Sequence, residues 1–537
     1  MIAMAKKTIG FVGPDGRTCM CAYTVSTVEH ERFTGAVIKG MTGMAPVMDA
    51  IRGKKNWALK FFPFPGKSLN DYKSALITAF ENQEVDCAVI MPEDLIYEGI
   101  VDELIEAGYG DRVIGLTKEA SFIEGDKVKA KIWMKRAGVP VAPFKVADAK
   151  NLQQIKRIVT HFIRNHGGAV FKYPYSAGGK GSRPVFRVED ILDVRNILLK
   201  DYSENYKIRH EDRKWPVLIE AWKSEIEISF TAMIDKNGNF CILPTAMDYP
   251  LRFEGPPSQT NPVTGGMGAI GMHPAETPEL IEMVGNKIIH PFVEEMKKGG
   301  ILRPCILYPG CRVSIDPETG KPVGILVYEM NIRAGEPEMQ VVARRLKNLG
   351  ELVVAALDGR LDAVKPDVRS DQISICIALV TGPGGPHGQK GYPDSYTKYE
   401  PVLINHKSLS KRGILLVPSN ISWDENKKRL ISDGSRVCYL SKNATIKPGE
   451  KRGEVAKTLR TSLLQAFDYG LVRVVPREAE ETFEPAEILY QQGTITEAEF
   501  DKAKAAFEKA NRLAIRRDPG RIYEEWDELF PDWQIDT

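Results

Sequence analysis

No apolar run in the 537-residue chain reaches the roughly 20 residues that a membrane-crossing helix needs. Met1 to Lys7 leads straight into an apolar strand without a signal-peptide core, so a cytoplasmic protein is expected. Cysteine is scarce: eight are scattered singly, apart from Cys19 and Cys21, whose one-residue gap is a poor zinc spacing. Neither a disulfide framework nor a metal knuckle is indicated, and reduced thiols are the default in the cytosol. The eight histidines show no ligand spacing, which argues against transition-metal catalysis. An excess of one charge is missing too, with 73 Lys and Arg against 71 Asp and Glu, so nothing marks a nucleic-acid partner. What remains, at 43% hydrophobic residues, suits a soluble multidomain protein with small-molecule substrates, no nucleic acid and no membrane.

The stretch around which the chain is best organised is residues 323–340. Its first half alternates like a strand, putting Val323, Ile325, Val327, Glu329, Asn331 and Arg333 on one face and Leu326, Tyr328, Met330 and Ile332 on the other. One face is thus expected to change from apolar to ionic. A carboxylate and a carboxamide two residues apart are hard-oxygen donors suited to Mg²⁺ bridging nucleotide phosphates, with Arg333 adding a fork for an anion. A strand merely leaving the core would look similar.

Upstream, Thr8 to Val12 is a short apolar strand running into Gly13-Pro14-Asp15-Gly16-Arg17-Thr18. This is the strand and glycine turn that opens a doubly wound sheet, where helix-start amides hold anions, although the third glycine of the dinucleotide fingerprint is missing. Gly16 and Arg17 are candidate phosphate anchors. Further strands at 87–91 and 113–116, with helical spacing between them, describe a small α/β domain before residue 117. Lys127 stands at a helix start. The strand Gly168 to Pro174 carries Lys172 and is followed by Ser176-Ala177-Gly178-Gly179-Lys180-Gly181, which is not a Walker A loop because Pro174 stands where its first glycine belongs. A flap over phosphates fits better, with Lys172 and Lys180 supplying charge from two sides. Glu225, Glu227 and Ser229 share a face by period two. Residues 259–274 form a second glycine-rich loop, which would let a small substrate lie close to main-chain donors.

Lys127, Lys172, Gly178-Gly179-Lys180-Gly181, Glu220, Glu227, Thr264-Gly265-Gly266-Met267-Gly268 and Glu329-x-Asn331-x-Arg333-x-Gly335-x-Pro337-Glu338-x-Gln340 occur in the order seen in ATP-grasp ligases. Together with Lys390-Gly391-Tyr392-Pro393 and Ser432-Asp433-Gly434-Ser435-Arg436-Val437, they resemble the phosphoribosylamine–glycine ligase family over about residues 8–475. The resemblance implies an α/β and α+β multidomain protein. Its parts would be an N-terminal doubly wound α/β domain (1–116), an ATP-grasp domain (117–368, flap subdomain about 140–222), a C-terminal α+β domain (369–476) and a helical tail (477–537).

It also implies ATP and Mg²⁺ or Mn²⁺ as cofactors, in a monomer or homodimer. Lys127, Lys172, Gly178, Gly179, Lys180, Glu220 and Glu227 would hold ATP. Glu329 and Asn331 would hold the metal, and Arg333 and Lys180 would serve the transition state. Gly16, Arg17, Asp248, Arg252, Thr264, Gly265, Gly266, Met267 and Gly268 would hold the substrates. The implied chemistry is acyl phosphate formation followed by attack of an amine, which needs charge neutralisation rather than a protein nucleophile.

Departures from the family pattern cluster at the substrate ends. Thr18-Cys19 stands in place of a glutamate and histidine, Val263 in place of an asparagine and Glu336 in place of an aspartate, and the insert between Asp248 and Arg252 is longer than usual. A ligase with another amine or acid is therefore the rival reading, and a non-catalytic nucleotide-binding regulator the distant one. Beyond residue 476, overlapping capping boxes at Thr494-x-x-Glu497 and Thr496-x-x-Glu499 start a helix. A later stripe of Ile522, Trp526, Leu529 and Trp533 must be covered by the body of the protein or by another chain.

Overall fold

Five of the six residues of β1 (Lys7–Val12) are buried, as expected of a strand covered on both faces in a parallel sheet. It sits at the centre of five parallel strands with β2 (Phe33–Ile38), β3 (Leu59–Phe62), β4 (Cys87–Ile90) and β5 (Val113–Ile114), in the order β3-β2-β1-β4-β5. The order reverses at β1, so the crevice lies at its C-terminal end. Helix α1 (Gly16–Val28) starts there, capped by the Asp15 carboxylate, which accepts from Thr18 N at 3.1 Å. The computed structural model describes residues 6–531 apart from 63–65, 67, 176–180, 206–214, 259 and 386–387.

The middle of the chain supplies two antiparallel sheets. Strands β6 (Phe144–Asp148), β7 (Ala169–Lys172), β8 (Ser182–Val185) and β9 (Pro216–Ala221) pair in the order β6-β9-β7-β8. Strands β10 (Ile226–Ser229), β11 (Ala232–Ile234) and β12 (Phe240–Ile242) assemble on the long β15 (Cys305–Ile315), whose other edge takes β16 (Pro322–Asn331). Between them in sequence, β13 (Met247–Asp248) and β14 (Gly268–Gly271) form a hairpin that joins a third sheet through β17 (Gln372–Thr381). That sheet continues through the strands Arg436–Thr445 and Leu415–Pro418.

Simple alternation fails along β16. Gly310 pairs with Glu329 and Cys311 with Val327, so Tyr328 is an extra residue in a bulge. Ile325 and Val327 before it, and Met330 and Ile332 after it, all lie in one apolar core. Leu326, Tyr328 and Glu329 face the cavity described below. No face changes from apolar to ionic: the bulge shifts the phase, so the core side stays apolar and the polar residues follow Leu326 onto the open side.

The tail is not purely helical. Helices Arg477–Gln491 and Glu497–Lys509 pack through Phe483 on Phe507 (4.6 Å between centroids) and Tyr490 on Phe500 (4.5 Å). The second helix uses the Thr496/Glu499 capping box. A short strand Leu513–Ala514 then pairs with β17. Helix Arg521–Leu529 buries Trp526 at 2% exposure on the chain's own body and leaves Leu529 71% exposed; Trp533 lies outside the described residues.

Candidate active site

A cavity of about 410 Å³ opens where the β6–β9 sheet, the β15/β16 ribbon, the β13–β14 hairpin and the start of α1 converge. Of the residues singled out from sequence, Arg17, Lys172, Glu220, Glu227, Asp248, Thr264, Gly265, Glu329 and Arg333 line it. Lys127 and Asn331 do not, but with Glu329 they border a small adjoining void. Gly178, Gly179 and Lys180 lie outside the described residues.

One end of the cavity is a buried charge cluster. Helix Lys127–Arg136, capped by Asp126, lies against β16 so that Lys131, one turn in, points at the strand. The Glu220 carboxylate on β9 is held by Lys131 Nζ at 2.6 Å and Lys172 Nζ at 2.5 Å. Both lysines also donate to Tyr328 O, at 3.1 and 2.9 Å, a carbonyl in the bulge. Burial pushes the Glu220 carboxyl up, but the two ammonium groups outweigh it and hold it below the usual range. Burial lowers Lys131 to about 8 despite Glu220, and it lowers Lys127, which lies near Glu329. Glu227 accepts from Tyr328 Oη at 2.6 Å and pairs with Arg312 at 3.0 Å.

The floor is a ladder of arginines and carboxylates. Arg333 pairs with Glu124 at 2.9 Å and Glu93 at 3.3 Å. Arg17 pairs with Asp15 at 2.8 Å and Glu93 at 3.5 Å, and donates to Ala334 O at 2.6 Å. Burial would raise the Glu93 carboxyl, yet Arg333 and Arg17 hold it down at about 2. The amide of Gly16, expected to take a phosphate, donates instead to Glu336 Oε1 at 2.9 Å, an oxygen that also accepts from Tyr439 Oη at 2.8 Å. The extra methylene of glutamate over aspartate lengthens the reach of this carboxylate toward the start of α1, a favourable place for negative charge.

The hairpin end is expected to offer main-chain donors to a substrate. Its main-chain donors are already used: Gly265 N by Tyr392 Oη at 2.7 Å, Gly266 N by Thr264 Oγ1 at 3.0 Å and Met267 N by Tyr249 O at 2.9 Å. Gly266, Met267 and Gly268 do not line the cavity, because the glycine run enters β14 and is packed there. Arg252 is also turned away, donating through Nε to Tyr392 O at 2.9 Å, with Nη1 buried and unpartnered. Asp248 does face the cavity. Its Oδ1 has no partner, and burial, then the nearby carboxylates of Glu338 and Glu227, raise its pKa well above the ordinary value.

Glu329 and Asn331 lie beside each other across the bulge's far side, with Asn331 Nδ2 3.4 Å from Glu329 Oε1. Asn331 Nδ2 also donates to Tyr308 O at 3.1 Å. Among the described residues no cluster of three or more His, Cys, Asp or Glu is arranged for a metal ion.

Sequence reasoning missed Glu93, Glu124, Lys131, Tyr308 and Arg312 as members of this site, and saw Glu338 only within a motif. Arg436 was visible only as part of a motif; it donates to Gly265 O and, at 3.1 Å, to Glu336 O. Thus the two C-terminal motifs, through Tyr392 and Arg436, converge on Gly265.

Residues 125–339 match the family model for the phosphoribosylglycinamide synthetase ATP-grasp (A) domain. A phosphoribosylamine–glycine ligase of Caldanaerobacter subterraneus is 30% identical over 321 residues, covering 60% of this chain and 69% of that relative. One from Chlorobaculum tepidum is 28% identical over 372 residues, covering 68% and 79%. Among solved structures, the phosphoribosylamine–glycine ligase of Thermotoga maritima superposes with a TM-score of 0.64 at 20% identity, covering 87% of this chain and 97% of that one. The biotin carboxylase domain of Hydrogenobacter thermophilus 2-oxoglutarate carboxylase, in complex with MgADP, ADP and bicarbonate, gives 0.57 at 15% identity, covering 98% and 99%. These two likenesses show the ATP-grasp fold, with an α/β domain at the N-terminus. On the sequence match to its relatives, the chain belongs to the phosphoribosylamine–glycine ligase family.

Proposed function

We propose that this chain is an ATP-dependent ligase joining glycine to 5-phosphoribosylamine through an acyl phosphate, giving glycinamide ribonucleotide, ADP and phosphate. The observation that carries the reading is one continuous cavity lined at one end by Lys172, Glu220, Glu227 and Glu329, and at the other by Asp248, Thr264 and Gly265. A nucleotide and a small acid placed at the two ends meet over Arg333. Lys172 and Lys127 supply positive charge toward the phosphates, and Glu227 offers acceptors to ribose hydroxyls. Asp248, whose Oδ1 is unpartnered and whose surroundings are dominated by the carboxylates of Glu338 and Glu227 despite Arg436, suits the ammonium of an amino acid.

Glu329 and Asn331 fit a divalent cation: both carry hard oxygens on one side of a strand, and the Asn331 nitrogen is committed to Tyr308 O, leaving Oδ1 available. Glu329 and Asn331 would hold Mg²⁺, which when bound would neutralise charge on the phosphoryl oxygens. The chain's own part is to position the carboxylate in line with the γ-phosphorus and to exclude water that would hydrolyse the anhydride.

Incubation with ATP, Mg²⁺, glycine and freshly made phosphoribosylamine should give ADP and glycinamide ribonucleotide in equal amounts, and absence of both overturns the reading. A second reading, with a different amine or acid, is favoured by Glu336 on the Gly16 amide and by Val263 in the hairpin. A panel of small carboxylates against one amine, and of amines against glycine, separates the two.

A further inference from the structure

Beyond β13 and β14 the legs of the hairpin carrying Asp248, Thr264 and Gly265 are joined by Tyr249 N to Gly268 O (3.0 Å) and Met267 N to Tyr249 O (2.9 Å), then by the isolated Leu251–Val263 bridge, with Arg252 N on Pro262 O (3.0 Å) and Thr264 N (2.6 Å) and Oγ1 (2.9 Å) on Pro250 O. Asn261 ties the tip, accepting from Phe253 N at 2.8 Å. The C-terminal segment 511–529 holds the first leg from outside. Arg516 places its guanidinium 5.1 Å from the Tyr249 ring centroid and donates through Nη1 to Leu251 O at 3.0 Å. Asp518 grips the other two nitrogens at 2.5 and 2.6 Å, fixing the orientation of the head. Gly520 N donates to Tyr249 Oη at 2.9 Å, and Tyr523 Oη donates to Met272 O beyond the second leg. The same segment is tied to the helix Arg452–Asp468 through Glu524 on Arg460 (2.5 Å) and Asp527 on Gly453 N (2.8 Å).

We propose that residues 511–529 are a brace for the substrate hairpin. Arg516 is its positioning residue, acting through Leu251 and Pro250 on Thr264 and so on the affinity for the small acid. This rests on placing that acid at the hairpin end, as under the proposed function.

The test uses the full chain with Arg516→Met, the milder Tyr249→Phe, and Arg360→Met as control; Arg360 pairs with Asp358 at the surface, outside the segment 511–529. Without any substrate, hydrogen exchange across residues 249–265 should rise about tenfold in Arg516→Met and less in Tyr249→Phe, with β7 and β9 unchanged. In turnover, KM for glycine should rise about five- to twentyfold in Arg516→Met, with KM for ATP and kcat within about threefold and the control unaltered. Unchanged exchange in the hairpin overturns the brace. So does a uniform rise across the chain with both KM values moving together, since that marks general loosening. Should Arg516→Met fail to fold, Tyr249→Phe decides by the same readouts. If the unaltered protein does not use glycine, the functional reading falls, while the exchange experiment still decides the brace.

Discussion

The two ends of the cavity treat buried carboxylates in opposite ways. Glu220 is 3% exposed and clamped between two lysines, so its charge is matched before any ligand arrives. Asp248, half-buried at the cavity wall, faces two other carboxylates as well as Arg436 and has an unpartnered oxygen. The first arrangement is a finished piece of structure whose removal costs stability. The second is unfinished, and a ligand bringing positive charge completes it. Stability and specificity are thus assigned to different ends of one cavity.

The largest effect should come from the nucleotide end. Glu329→Ala removes the proposed oxygen ligand rather than core volume, so kcat should drop by about two orders of magnitude or more while the melting temperature barely moves. Wild-type turnover at saturating Mg²⁺ would remove Glu329 from the metal site. Glu220→Gln leaves Lys131 and Lys172 buried without a counter-charge, and urea unfolding should show a loss of about 3 to 5 kcal/mol. An unchanged midpoint would mean that the cluster is not the finished structure described above.

Asp248→Asn should behave differently, costing little stability but raising KM for the hairpin-side substrate about tenfold, the scale of one hydrogen bond to a charged group. The two acids also have opposite pH signatures. Asp248 binds its proton more tightly folded than unfolded, so its contribution falls as pH rises from the ordinary carboxylate value toward its raised one. Glu220 binds its proton less tightly folded, so its contribution is present above the unfolded value and lost as pH falls through the lowered one. Melting temperatures of the two variants between pH 4 and pH 8 read this directly: Asp248→Asn should flatten a downward slope that Glu220→Gln leaves in place. The smallest effect belongs to Val263→Asn, which restores an amide beside the cavity. A two- to fivefold lower KM for glycine, on the order of 0.5 to 1 kcal/mol, is expected from one neutral hydrogen bond.

Much of the fold was legible because its signals are local. A buried apolar strand followed by a glycine turn announces the parallel sheet at β1, and a capping box announces the helix at Glu497. Site residues on ordered motifs, such as Lys172, Glu227 and Glu329, were found at the cavity for the same reason. Glu93 and Glu124 were not, because what brings them to Arg333 is tertiary packing over more than 200 residues of sequence. Lys131 sits in a helix so rich in charge that no periodic stripe separates its buried side from its wet one. In the glycine run at 265–268, Gly265 lines the cavity, but the others mark close approach without saying to what; here it is to Pro337 and the neighbouring strand.

The extra residue at Tyr328 works like a change of reading frame in β16. Before it, odd-numbered positions belong to the core; after it, even-numbered ones do. Pairing every residue in strict alternation, with no bulge, would drive Glu329 and Asn331 toward the apolar interior and Met330 toward the cavity, whereas deleting Tyr328 would close the bulge and leave all three on their present sides. The side on which this strand presents its oxygens is therefore set by where its pairing with β15 skips a residue.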